Sequence, residues 1–252
     1  MEVQQYRMSL LDRVKHFGVR KVLKKCALGR WIYPVIQKLY RLYAIPMKRR
    51  RLQKHGPDCM RRLHQFFVDH NVDYYCDSGT LLGFVRDHGF IKSDDDIDIA
   101  IVEGAIEPKK LVKYFLDAGY GLIHAFRYES RIIMFTVADV TQITIDVYFQ
   151  TLQKGSTNIL DAWSVCWRPE SQYPSEKANS AVSYHFLKPD GFKDIEVQGV
   201  TVRVPANTDD VLESEYPNWR VPDPNYKHEQ GFPHTDWPGF CYRLTAEEVL
   251  EG

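Results

Sequence analysis

The five cysteines, Cys26, Cys59, Cys76, Cys166 and Cys241, are scattered, odd in number and never paired as CxxC. Such spacing excludes the common zinc-clasping patterns and favours reduced thiols, hence a cytoplasmic location. Long apolar runs are also missing, for no window reaches the roughly 18 uncharged apolar residues that cross a bilayer. The nearest, residues 27–47, is interrupted by Arg30, Lys38 and Arg41. The opening MEVQQYRMSLLDRVKHFG has neither the apolar stretch nor the small-residue cleavage site of a secretory signal, so export is not expected. Net charge is absent too: 33 Lys and Arg balance 33 Asp and Glu. The balance argues neither for nor against a partner, and no nucleic acid is expected. The chain shows no internal repeat and no low-complexity tract.

What remains is 252 residues, 44% of them hydrophobic, enough to bury a core in one large unit with appendages. The expected division is a basic amphipathic helical appendage over residues 1–54 and a catalytic domain over 55–252. Pro34 and Pro46 are expected to kink or end helices in the appendage. Aromatic residues interleaved with cations over residues 20–51, ending in Lys48-Arg49-Arg50-Arg51, suit either the inner face of an anionic membrane or packing of an amphipathic helix on its own domain. Both readings stay open on sequence alone.

Asp58 is a candidate N-cap for a helix over DCMRRLHQFFVDH, followed by a short strand VDYYC. Gly79 then makes a tight turn into a helix that His88-Gly89 ends. IDIAIV reads as a strand, PKKLVKYFLDAGY as a helix begun by Pro108, and GLIHAFRY, RIIMFTVA and TQITIDVYFQ as strands. Residues 194–205 form an expected hairpin turning at Gln198-Gly199, and TDDVLESEY a short helix stopped by Pro217. The tail from Asn218, rich in Pro, His and aromatics, is expected to wrap irregularly over the domain. Helices and strands in this order give an α+β fold with a mixed sheet.

The informative segment is Asp94-Asp95-Asp96-Ile97-Asp98-Ile99. Acidic clusters are usually solvated loops, but here apolar alternation carries the run into a buried strand, where uncompensated charge is expensive. Residues i and i+2 of a strand share a face, so Asp96 and Asp98 point together, a geometry suited to a hard cation such as Mg²⁺, with Mn²⁺ the alternative. Asp146, in ITIDVYF, lies on a strand that would bring a third carboxylate beside the same ions, as two-metal phosphoryl transfer requires. Ser78, Gly79 and Thr80 sit at a strand-to-helix turn where backbone N–H groups offer a site for phosphate. Arg86 either reaches a phosphate or pairs with an acidic neighbour. His185, His228 and His234 receive no role, and Trp219 and Trp237 are expected to pack.

In their order, Asp77-Ser78-Gly79-Thr80-Leu81-Leu82-Gly83, Val85-Arg86, Gly89-Phe90-Ile91 and Asp94-Asp95-Asp96-Ile97-Asp98-Ile99 closely resemble the LicD/fukutin-type phosphotransferases. The resemblance covers residues 58–150, with a weaker echo at Leu212 to Trp219. It departs from the family at Lys92-Ser93, where the family has Pro-Trp, and at Pro217-Asn218, where it has Gly-Asp. It implies a nucleotidyltransferase-like fold and transfer of a substituted phosphate, phosphocholine or an alditol phosphate, from a CDP-linked donor to a hydroxyl of a glycan or lipid-linked glycan. CMP would leave. By the same resemblance Asp96, Asp98 and Asp146 are the metal ligands and Gly79 and its neighbours the nucleotide phosphate turn; the motif does not decide whether Asp146 or Asp94 is the proton acceptor. Rival readings are a DxD glycosyltransferase, a nucleotidyltransferase releasing pyrophosphate, and a non-catalytic, membrane-docked glycan-binding protein.

Overall fold

The computed structural model describes residues 27–102, 104–166, 174–175, 177–223 and 235–251. It opens on one long helical run: α1 (Ala27–Leu39), a π-helical turn (Tyr40–Ala44) and α2 (Ile45–Asp69). Pro34 lies inside α1 and Pro46 in the first turn of α2, and one sequence expectation fails here: Asp58 lies inside α2 beside Pro57, so it caps nothing. Gly56-Pro57-Asp58 reads as a helix break followed by an N-cap, yet Gly56 serves packing. A Cβ at Gly56 would stand 2.4 Å from Phe90 Cε2, so glycine lets the helix approach that ring. The expected boundary at 54/55 therefore falls within a continuous helix.

After α2 come β1 (Tyr75–Cys76), α3 (Ser78–Leu82) extended by a π turn (Gly83–Asp87), β2 (Asp96–Val102) and α4 (Pro108–Asp117). His88 ends the π turn in the left-handed region at φ 54°. Strands β3 (Gly121–Tyr128), β4 (Arg131–Ala138), β5 (Thr144–Leu152), β6 (Ile159–Cys166) and β7 (Ala178–Leu187) follow. The hairpin is β8 (Phe192–Val197) and β9 (Val200–Pro205), with Gln198 and Gly199 both at positive φ in its turn. Then come α5 (Thr208–Glu215), β10 (Thr235–Leu244) and α6 (Ala246–Glu251).

Eight strands form one mixed sheet in the order β1-β2-β5-β4-β3-β10-β7-β6, and β6 returns to pair with β5 at Gln150–Leu152, so the sheet curls back on itself. Among these pairings only β2 with β5 is parallel. Over residues 235–244, at least, the tail is no irregular wrap but a strand of the sheet. Its β10 lies inside the sheet between β3 and β7, and the strand pattern is hidden by Pro238-Gly239, where the register shifts.

One face of the sheet carries the main core. Ile97, Ile99 and Ile101 of β2 and Ile145 and Val147 of β5 pack there with Leu63 and Phe67 of α2, Leu111 and Phe115 of α4, and Leu212 of α5. Burying these side chains at about 25 cal/mol per Å² is what holds the helices against the sheet. A smaller cluster, Phe126, Met134, Trp163, Ala181 and Cys241, packs with Tyr148. The strand alternation that sends the isoleucines into the main core turns Asp96, Asp98 and Asp146 away from it.

Candidate active site

In the parallel pair β2–β5, Asp98 lies directly beside Asp146 and Asp96 beside Thr144. Neighbouring strands run about 4.8 Å apart, so the three carboxylates share one small patch. They are half-buried, each keeping some surface toward solvent. Crowding by protein atoms pushes the Asp96 and Asp98 carboxyls well above the usual carboxylate range. The next causes are repulsion by Asp146, then Asp95 and Asp94, for Asp96, and repulsion by Asp96, then Asp146 and Asp94, for Asp98. Lys48 opposes this at Asp96.

The Asp77–Thr80 turn is sewn to this strand. The Asp77 N–H donates to the Asp98 carbonyl (3.1 Å), and the Asp98 N–H donates to Thr80 Oγ1 (2.9 Å). Ser78 takes the left-handed conformation at φ 48°, a backbone cost that clusters at functional turns. Asp94 lies against the turn: a Cβ on Gly79 would meet Asp94 Oδ2 at 2.8 Å. Glycine is needed here to admit that carboxylate. Burial, then Asp95, raises Asp94 to about 6, with Arg49 and Arg86 acting in the other direction. Arg86 itself forms a two-pronged pair with Asp87, at 2.7 and 2.9 Å. The structure therefore brings Ser78, Gly79, Thr80, Asp94, Asp96, Asp98 and Asp146 together, and gives Arg86 an acidic neighbour rather than an open guanidinium.

Several residues around the site had no sequence signal of their own. Thr136 on β4, register partner of Asp146, donates its hydroxyl to Asp146 Oδ1, and His124 Nε2 lies 2.8 Å from the same Thr136 oxygen. Tyr148 places its hydroxyl 3.5 Å from both Asp98 Oδ1 and Asp146 Oδ2. Behind the turn, Gln150 Nε2 donates to Asp77 Oδ2 at 2.9 Å and the Tyr75 hydroxyl donates to Gln150. Glu215, at the end of α5, is buried against Asp77. Burial, then the Asp77 charge, lifts Glu215 well above its usual range, while burial lifts Asp77 to about 6. Alternation within β5 alone puts Tyr148 on the Asp146 face, whereas Thr136 could be placed there only once the β4–β5 register was known. His185 hydrogen-bonds Asp161 at 2.8 Å, and Trp219 is buried in the main core. The side chain of Trp237, together with His228 and His234, lies outside the described residues.

The donors fit a hard cation. They are all carboxylate oxygens, their repulsion is relieved by positive charge, and they keep access to solvent. Among the described residues no three Asp, Glu, His or Cys side chains converge tightly enough to cage an ion unaided.

Two curated relatives carry no functional description. The chain is 28% identical over 164 residues to an uncharacterized protein of Rickettsia prowazekii (strain Madrid E), covering 64% of this chain and 53% of that protein. It is 39% identical over 66 residues to one of Rickettsia typhi (strain ATCC VR-144 / Wilmington), covering 26% of this chain and 21% of that protein. The match thus spans about half the length of the first and about a fifth of the second. Residues 71–207, more than half the chain and the span from the end of α2 to the β9–α5 connection, match the nucleotidyltransferase domain of LicD/FKTN/FKRP. With the turn, the triple-Asp strand and the third carboxylate assembled on one sheet face, the chain belongs to the LicD/FKTN/FKRP family.

Proposed function

We propose that this transferase moves a substituted phosphate, phosphocholine or an alditol phosphate, from a CDP-linked donor to a hydroxyl of a cell-surface glycan, releasing CMP. The observation that carries the reading is the parallel register that sets Asp98 beside Asp146, with Asp96 on the same face and the Asp77–Thr80 turn bonded to Asp98.

In this reading Asp96, Asp98 and Asp146 hold Mg²⁺ or Mn²⁺. The bound ion would neutralise the diphosphate and lower the pKa of the attacking hydroxyl. Asp146 is oriented by Thr136 at Oδ1, so its other oxygen, near the Tyr148 hydroxyl, is held toward the patch that it shares with Asp98. The Ser78–Thr80 turn, fixed to β2, is the candidate seat for donor phosphate, with Asp94 packed against it. Asp146 or Asp94 accepts the hydroxyl proton. Arg86 would meet phosphate only by leaving Asp87. A CDP-linked donor and the buried free thiols Cys59, Cys76 and Cys241 suit a cytoplasmic reaction.

The test is mass spectrometry of nucleotides and pyrophosphate released by purified protein with Mg²⁺, a crude glycan acceptor and a panel of CDP-choline, CDP-ribitol, CDP-glycerol, CTP and UDP-sugars. The expected result is metal-dependent CMP release from one CDP compound, lost in Asp96→Asn and Asp98→Asn. Release of UDP would transfer the case to a glycosyltransferase, and release of pyrophosphate from CTP to a nucleotidyltransferase. Unaltered turnover in both Asn variants would remove the carboxylates from the chemistry.

A further inference from the structure

Trp31, Val35, Leu39, Leu42, Tyr43 and Met47 stand exposed along α1, the π turn and the start of α2, with Trp31 82% exposed. An amphipathic helix packed on its own domain buries its apolar stripe, whereas here Tyr40 and Ala44 are the buried residues of the turn. Steps of four residues drift around a helix of 3.6 residues per turn. The wider π turn between Leu39 and Ile45 absorbs part of that drift, so the apolar residues remain a continuous stripe.

The charge beside the stripe has one sign. From Arg13 to Pro57 the sequence contains no Asp or Glu. Lys38, Arg41, Arg50 and Lys54 are exposed along the same helical run. We propose that this face docks on the surface of an anionic phospholipid bilayer, the stripe entering at headgroup level and the cations meeting lipid phosphates. The proposed contact lies along the membrane surface, and among the described residues no helix is long and apolar enough to cross a membrane.

A second copy of the chain is the poorer occupant. Two stripes face to face would bring cationic rims together with no acidic residue of the segment to answer them. Lipid phosphate supplies that missing charge. The same helical run is tied to the catalytic sheet: Arg51 donates to the Gln142 carbonyl, and Gln53 to the carbonyls of Phe90 and Ile91. These loops lead into β5 and β2, so the docked segment is coupled to the strands that carry Asp146, Asp96 and Asp98.

The inference stands apart from the chemistry assigned to the site, and its test needs no turnover. The full chain is floated with phosphatidylcholine vesicles with and without phosphatidylglycerol. The wild type should rise with the phosphatidylglycerol vesicles alone, and less so as salt increases. Val35→Asp combined with Leu42→Asp should lower the bound fraction about tenfold, and Lys38→Glu with Arg41→Glu should remove the preference for anionic lipid. Both pairs are on the exposed face, and unchanged circular dichroism and melting show that the variants fold. Wild type that stays below the anionic vesicles, or an Asp variant that rises equally with them, overturns the proposal. A dimer in sedimentation that the Asp variant dissolves, without vesicle binding by the wild type, assigns the face to a second copy instead.

Discussion

Two single side chains decide how well the acidic patch is held. Gly79 has ordinary helical backbone, so Gly79→Ala should gain helix propensity of about 1 kcal/mol while forcing its Cβ to within 2.8 Å of Asp94 Oδ2. The expected outcome is a protein that melts no lower than wild type yet turns over at least about tenfold more slowly, because the displaced group is the Asp94 carboxylate. Full activity in that variant would mean that Asp94 has no need of its place against the turn. At Asp146 the relevant atom is the Thr136 hydroxyl. Thr136→Val keeps the shape and removes the donor, and groups that orient a metal-binding carboxylate typically contribute about 10- to 100-fold in metal affinity or rate. Titrating Mg²⁺ against turnover should show that loss in Thr136→Val and recovery in Thr136→Ser. If valine behaves like threonine, the hydroxyl only fills space.

At the scale of elements, α5 is joined to the catalytic turn through two acidic side chains. Asp77 Oδ1 and Glu215 Oε2 are both buried and lack a hydrogen-bond donor when both groups are ionised. A single proton held on Glu215 gives both oxygens a partner, which is the sense of its raised pKa. Glu215→Gln keeps a donor toward Asp77 and should leave turnover and melting near wild type. Glu215→Leu orphans Asp77 and should cost about 1–3 kcal/mol in chemical unfolding, with a fall in kcat that exceeds any change in KM. Equal behaviour of the two variants would show that α5 is held by packing alone.

This joint was invisible in the sequence because it links residues far apart through a sheet register that no local pattern encodes. What was legible was local. The alternation in Asp96–Val102 and Thr144–Leu152 gave both strands and the facing of their carboxylates, and Pro108 and Gln198-Gly199 marked a helix start and a hairpin turn. Local signals misled where packing overrode them. Gly56-Pro57-Asp58 imitates a helix boundary but serves contact with Phe90, and Pro238-Gly239 breaks the pattern of a strand that the sheet nevertheless completes.

At the scale of the whole molecule, the sheet holds like charges together at some expense to its own stability. Asp96 and Asp98 are crowded by protein and repelled by each other and by Asp146, so without a cation the native state carries unfavourable charge that the unfolded chain disperses. Removing one of these charges while keeping its shape should therefore stabilise the metal-free protein even as it destroys function. For a domain of this size each kcal/mol shifts the midpoint by about 2–4 °C. Metal-free Asp98→Asn should melt a few degrees above metal-free wild type at neutral pH. Adding Mg²⁺ should then raise the wild type by linkage, since an ion that binds only the folded state stabilises it, and should leave Asp98→Asn almost unmoved. The two melting curves thus exchange order as Mg²⁺ is added. If metal-free Asp98→Asn instead melts lower, the carboxylate is satisfied within the fold, and the argument that repulsion prepares this patch for a cation fails.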